Sequence, residues 1–254
     1  MHSCNLQVKY PGRECMLEQD EEWFHLMTKD GQECIRIHEY ERVYDVPGLY
    51  EEVVYNKLQC DSPQVLTALL KENMEAQGEE TTPLRVLDFG AGNGIVGECL
   101  QDAFETEAIV GVDIIKEAKR AVERDRPGIY DNYYVIDLSQ EDNRNKKKLE
   151  SWNFNTLVTV AALGFGDIPT RAFVNAFNTV SNGSWVVFNI KDRFFSGDDD
   201  SGYNQMLQEM IGKSLKVYKK HHYCHRLSMA GDPLHYYAIV GRKENDFESP
   251  AISY

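Results

Sequence analysis

The sequence predicts an α/β protein: a doubly wound, seven-stranded sheet with an antiparallel C-terminal strand, preceded by an N-terminal cap segment. Three observations carry this. Downstream of residue 60, short apolar runs alternate with amphipathic segments of about 10–15 residues, the rhythm of parallel strands joined by crossover helices. The first of these runs ends in a glycine-rich loop, "GAGNG" (90–94). The last two, "SLKVYKKHHYCHRL" and "PLHYYAIVGRK", are separated only by "SMAGD", too short for a helix, and so form an antiparallel hairpin at one edge of the sheet.

The elements follow in order. Within residues 1–60, "EEWFHLMTKDGQECIRI" reads as a β-hairpin turning at Lys29-Asp30-Gly31. The tyrosine-rich "HEYERVYDVPGLYEEVVYNKLQC" comes next, interrupted by Pro47-Gly48. Residues 61–254 form the core. A helix opens at "DSPQVLTALLKENM", where Ser62 suits the N-cap and Pro63 the first helical position. Strands are expected at 84–89, 108–114, 133–138, 155–163 and 184–190, with helices at 94–104, 116–126, 141–152, 169–180 and 202–212.

Bulk properties narrow the function. A chain of 254 residues, 42% hydrophobic and 27% charged, is a soluble globular protein with a full core. No apolar run approaches the ~20 residues of a membrane span, and "MHSCNLQVKYPGREC" lacks the apolar centre of a secretory signal. A cytoplasmic protein without membrane attachment is expected. Its six cysteines (Cys4, Cys15, Cys34, Cys60, Cys99, Cys224) include no C-x-x-C pair, so reduced thiols and no structural zinc are expected. A net charge of −14 would repel phosphates, arguing against nucleic acid and for a small neutral or cationic substrate. An exposed edge of the N-terminal hairpin could support a homodimer.

The glycine loop contains two overlapping fingerprints. Gly92, Gly94 and Gly97 spell G-x-G-x-x-G, the dinucleotide pattern; Asp88, Gly90, Gly92 and Gly94 spell D-x-G-x-G-x-G. Both NAD(P) and S-adenosylmethionine need a strand end, a loop without side chains and an acid at the end of the second strand for the ribose hydroxyls. Asp113 is that acid on either reading. Asp88 separates them: a carboxylate is a liability beside a pyrophosphate but useful beside an ammonium and a sulfonium. Asp137 at the third strand end can accept the adenine amine, with Ile114 and Leu138 enclosing the ring. The terminal hairpin also breaks the all-parallel plan of dinucleotide folds. Together these favour S-adenosylmethionine.

"VLDFGAGNG", "VGVDI" and "VIDL", followed by the two-strand ending, resemble the class I S-adenosylmethionine-dependent methyltransferases over roughly residues 62–243. The resemblance implies a Rossmann-like methyltransferase fold with the last strand inserted between strands five and six. It also implies that Gly90, Ala91 and Gly92 approach the amino-acid portion of the cofactor and that Asp113 binds its ribose. Ile114, Asp137 and Leu138 would hold the adenine, and Ala161 would line the methionine side. "AALGFGD" (161–167) replaces the [DN]-P-P-[YF] run of many base and glutamine methyltransferases, which points to a small-molecule acceptor.

A cap preceding the first core strand lies near the cofactor mouth. Among its tyrosines (Tyr40, Tyr44, Tyr50, Tyr55), Tyr50 and Tyr55 are the candidates for the cofactor or substrate. Candidate general bases are His38, His221, His222 or a cap tyrosine. "HHYCH" is not a metal site, because His221 and His225 lie about 13 Å apart on a strand at ~3.3 Å per residue. Asp167, Asn189 and Asp192 do not match the cation site of catechol-type enzymes. The expected reaction is in-line S_N2 methyl transfer to a small molecule. An NAD(P)-dependent oxidoreductase and a non-catalytic module retaining the fold are the alternatives.

Overall fold

A computed structural model describes residues 6–12, 17–19, 21–140, 142–163, 168–195 and 201–248. Cys4, Cys15, Asp167 and the Asp198–Asp200 run lie outside the described residues.

Seven strands build the main sheet: β4 (Leu84–Phe89), β5 (Thr106–Asp113), β6 (Asn132–Val135), β7 (Thr156–Leu163), β8 (Trp185–Lys191), β9 (Leu215–Leu227) and β10 (Pro233–Lys243). They lie in the order β6-β5-β4-β7-β8-β10-β9. β4 to β8 pair in parallel, while β10 runs antiparallel to both β8 and β9. The chain direction of strand placement reverses at β4, whose neighbours are β5 and β7. That is the switch point at which α/β sheets open a crevice beyond their carboxyl ends.

The connecting helices are α2 (Ser62–Ala76), α3 (Ile95–Ala103), α4 (Lys116–Asp125), α5 (Asn143–Glu150), α6 (Thr170–Thr179) and α7 (Tyr203–Met210), after α1 (Tyr40–Asp45) in the N-terminal segment. Central strands such as "VVFNI" are apolar without alternation because both sheet faces are covered. Leu66, Leu70 and Met74 of α2 and Val96 and Leu100 of α3 pack with Val86, Ile109 and Val187 on one face. Leu149 of α5, Phe173 and Phe177 of α6 and Leu207 and Met210 of α7 pack with Leu87, Val110 and Phe188 on the other.

The N-terminal segment has its own small core. β1 (Val8–Lys9), β2 (Trp23–Thr28) and β3 (Gly31–Arg36) form an antiparallel sheet. Thr28 pairs with Gly31 across Lys29 and Asp30, the hairpin expected from the sequence. Phe24, Leu26, Ile35, Val43, Leu49, Val53 and Leu58 cluster together, joined from the main sheet by Met229 in the β9–β10 turn. After α1 the chain makes a π-helical turn (Glu51–Lys57). The N-cap of α2 is Asp61 rather than Ser62, without a side-chain capping bond; the Ser62 hydroxyl bonds elsewhere, as described below. The third core strand also stops at Val135, so Asp137 sits in the turn beyond it and not on the strand.

Candidate functional site

The switch-point crevice is a cavity of about 320 Å³, within the ~300–1,000 Å³ of small-molecule sites. One wall is the β4–α3 loop. Gly90, Gly92 and Gly94 take φ values of +77°, +52° and +87°, a left-handed run that penalises side chains. The Gly90 and Ala91 N–H groups donate to Val112 O, tying the loop to β5. A Cβ on Gly92 would stand 2.7 Å from Tyr44 Oη, so cap and loop meet at that glycine. Gly97 has another job: its Cβ would strike Ile129 and Tyr130. It lets α3 pack closely against the segment before β6 and does not line the cavity.

Asp113 closes β5 and faces the cavity. Its Oδ2 accepts from Gly92 N–H and its Oδ1 from Ile115 N–H, each at 2.9 Å. Burial raises its pKa, and the backbone donors at Ile115, Gly92 and Ile114 oppose that shift. The carboxylate is thereby fixed in orientation, with lone pairs left for a ligand. Ile114 beside it is 60% exposed, an unusual position for a large apolar side chain. Asp137, Leu138 and Ser139 form the opposite rim. Ser139 holds Asp137 below its ordinary pKa, its N–H donating to Oδ1 at 2.8 Å.

The cap supplies a row of tyrosines. Tyr40, Tyr44, Tyr50 and Tyr55 all line the cavity, with successive ring centroids 5.9, 5.1 and 5.9 Å apart. Burial raises the pKa of Tyr44, Tyr50 and Tyr55. Their hydroxyls stay protonated at neutral pH, which suits hydrogen-bond donation and not general-base chemistry. Polar clamps hold this cap on the loop. Glu51 Oε1 accepts from Asn93 Nδ2 and Arg126 Nη1, each at 2.8 Å. Arg124 Nη2 donates to Tyr44 O at 3.0 Å. Further away, buried Glu22 pairs with buried Arg226 at 2.7 Å and accepts from Met229 N–H.

The remaining wall comes from β7 and α6: Val160, Ala161, Ala162, Ile168, Pro169 and Ala172. Of the sequence candidates, Gly90, Ala91, Gly92, Asp113, Ile114, Asp137, Leu138, Ala161, Tyr50 and Tyr55 thus surround one cavity.

Asp88 does not line the cavity. It is fully buried on the far side of the loop, where Tyr130 Oη donates to its Oδ2 at 2.7 Å. Alternating side-chain direction along β4 turns it toward the α2–α3 face. Burial pushes its carboxyl up to about 7.

The histidine candidates are also outside the lining. His221 and His222 are exposed on β9, two strands away from β8; His221 stacks on Tyr223 and His222 on His235. His38 Nδ1 lies 3.2 Å from Oη of Tyr40, which does line the cavity. Tyr40 and Tyr44 were flagged by the sequence only as members of a tyrosine-rich segment. Asn93, Ile168, Pro169 and Ala172 carried no signal of their own.

No protein-family description matches the chain, and no curated protein matches it. Solved structures do. The N-methyltransferase NodS from Bradyrhizobium japonicum WM9, in complex with S-adenosyl-L-homocysteine, is similar with a TM-score of 0.53 and 13% identity over 82% of this chain and 98% of that one. An S-adenosylmethionine-dependent methyltransferase from Anabaena variabilis gives 0.51 and 12% over 83% and 96%. The magnesium protoporphyrin IX methyltransferase of Synechocystis PCC 6803, with bound S-adenosylmethionine, gives 0.50 and 11% over 80% and 95%. The chain therefore has the fold of the class I S-adenosylmethionine-dependent methyltransferases, with their seven-stranded sheet and antiparallel final strand.

Proposed function

We propose that the protein is an S-adenosylmethionine-dependent methyltransferase acting on a small-molecule acceptor. The observation that carries this is Asp113: a carboxylate at the switch-point strand end, oriented by the Gly92 and Ile115 N–H groups, beside the exposed Ile114. A pair of vicinal ribose hydroxyls and a flat apolar ring are the complement of that arrangement. The left-handed Gly90 and Gly92 keep the loop bare of side chains on either side of Ala91, so its backbone can approach a ligand closely. Gly90, Ala91 and Gly92 would then lie along the amino-acid portion, Ile114 and Leu138 against the adenine, Asp137 at its edge and Ala161 on the methionine side.

S-adenosylmethionine, when bound, supplies a methyl group already activated for in-line S_N2 attack by the acceptor. The chain's contribution is alignment and exclusion of water. Residues 1–60 act as the cap: the tyrosine row roofs the cavity, and the Glu51 clamp fixes that roof to the loop. The protonated hydroxyls of Tyr50 and Tyr55 offer donors for a ligand carboxylate or an acceptor heteroatom. The modest cavity volume and acidic surface support a small neutral or cationic acceptor over nucleic acid. Among the described residues no helix is long and apolar enough to cross a membrane.

Calorimetric titration tests the reading. S-adenosylhomocysteine should bind at micromolar Kd, and Asp113→Ala should weaken that binding by ~100-fold or more, beyond the reach of the titration. Binding of NADH or NADPH, with none of S-adenosylhomocysteine, would overturn it in favour of hydride chemistry.

A further inference from the structure

On the cavity wall formed by β7, Ala161 has φ +56°, in the left-handed region that a residue with a Cβ avoids. The β7–β8 pairing is irregular here, between Thr159 and Leu163. Such a conformation persists only where its surroundings impose it. Beside it, Asn189 is fully buried on β8, and its Oδ1 accepts the Ala161 N–H at 2.7 Å.

Asn189 is itself fixed by a buried relay. Its Nδ2 donates to Tyr223 Oη at 2.8 Å and to Ser62 Oγ at 3.3 Å. Tyr223 Oη and Ser62 Oγ are 2.7 Å apart, and Ser62 Oγ lies 2.6 Å from His225 Nδ1. Burial, with Arg226 nearby, lowers the His225 pKa to about 3, so Nδ1 of a neutral ring can accept. Reading from the cavity inward, Ala161 N–H meets the Asn189 carbonyl; the Asn189 amide meets Tyr223; Tyr223 meets Ser62; and Ser62 ends on His225. An N-cap hydroxyl would have satisfied only α2. Here Ser62 instead links α2, β8 and β9 to one strained residue on the cavity wall.

We infer that Asn189 is a positioning residue for the cofactor site, holding Ala161 in its left-handed conformation through the Tyr223–Ser62–His225 relay so that the β7 wall fits the methionine side of the ligand. The inference rests on the proposed cofactor reading, and its test separates the two. Titrate S-adenosylhomocysteine into the wild type, Asn189→Leu, Ala161→Gly and the double variant, and record melting temperatures in parallel. Asn189→Leu should weaken binding roughly tenfold. The double variant should recover most of that loss, because glycine adopts positive φ without the amide bond. It should not recover the melting temperature.

If the wild type fails to bind, the cofactor reading falls and this inference with it. If the wild type binds and Asn189→Leu binds equally well, only the inference is overturned. A loss that Ala161→Gly does not repair also overturns it, since Asn189 would then act as general support. Should Asn189→Leu fold poorly, Tyr223→Phe takes its place, removing one hydroxyl from the relay. It should weaken binding several-fold, with the same rescue by Ala161→Gly; unchanged affinity would again contradict the inference.

Discussion

The two walls of the cavity are built by different physics. The sheet side is made of backbone: left-handed glycines, a strand end, and N–H groups aiming the Asp113 carboxylate. The cap side is made of side chains: four tyrosine rings over a small separate core, held down by the Glu51–Arg126–Asn93 clamp and by the buried Glu22–Arg226 pair. A backbone wall can hold a common cofactor because its shape follows from topology. A side-chain wall can change without disturbing the sheet, and under the proposed function that wall is where acceptor specificity would reside.

Substitutions can break this division at several levels. The largest effect is expected at the cap's anchor. Among the described residues, Glu22→Ala leaves the buried Arg226 guanidinium only the main-chain carbonyl of Leu227, and breaking a buried pair on one side costs about 3–5 kcal/mol. Chemical denaturation should show that loss; a change under ~1 kcal/mol would mean the cap is held elsewhere. Asp113→Ala comes next. Under the proposed function it removes the acceptor for two ribose hydroxyls at about 1.5 kcal/mol or more each, so affinity for S-adenosylhomocysteine should fall by ~100-fold or more, with the far-ultraviolet spectrum unchanged.

Gly92→Ala probes the seam between the walls. The new Cβ is strained by about 1–2 kcal/mol and faces Tyr44 Oη at 2.7 Å. Removing that hydroxyl with Tyr44→Phe should recover part of the lost affinity and none of the backbone strain. Additive losses in the double variant would show that the hydroxyl does not set the spacing. The smallest stability effect is Glu51→Gln, about 1 kcal/mol for a partly exposed pair, fading as salt is raised.

A pH experiment isolates Asp88, the acid that turned away from the cavity. Its folded pKa of about 7 stands above its ordinary 3.8. Between those values the folded state holds a proton that the unfolded state has released, so Asp88 lowers stability as pH rises through that window and leaves it flat above. His225 acts oppositely. With its pKa lowered to about 3 from 6.5, the unfolded state binds the extra proton, and stability rises with pH from about 3 to 6.5. The two partly cancel in the wild type. The melting-temperature difference between Asp88→Asn and wild type should therefore be small near pH 4 and widen in the variant's favour toward pH 7. A constant difference would contradict the shift assigned to Asp88.

The sheet was legible in the sequence because its signals are local. "LRVLDF" is a buried run bounded by glycines, and it is β4; Asp113 was visible because a strand must end there and the loop faces it. The Asp88 orientation was not legible: its one-residue spacing from Phe89 sends it to the other sheet face, where Tyr130, remote in sequence, receives it. The histidines stood out because titratable side chains are conspicuous in a string while strand order is not; β9 lies at the sheet edge. Tyr40 to Tyr55 could be marked as a cluster, but that all four rings line one cavity depends on α1, the π-helical turn and the Glu51 clamp together. Asn189 stood out in the sequence only beside Asp167 and Asp192, as a cation-site pattern that does not match; its contact with Ala161 crosses a strand pair and leaves no local mark.

The central claim is that sheet and cap enclose one adenosine-bearing methyl donor, and a crystal structure grown with S-adenosylhomocysteine tests it most directly. The account predicts the ribose hydroxyls on Asp113, the adenine between Ile114 and Leu138, and the homocysteine portion between the glycine loop and the tyrosine row. Ligand density away from Asp113, or a cavity closed by the tyrosines with the ligand excluded, would contradict it.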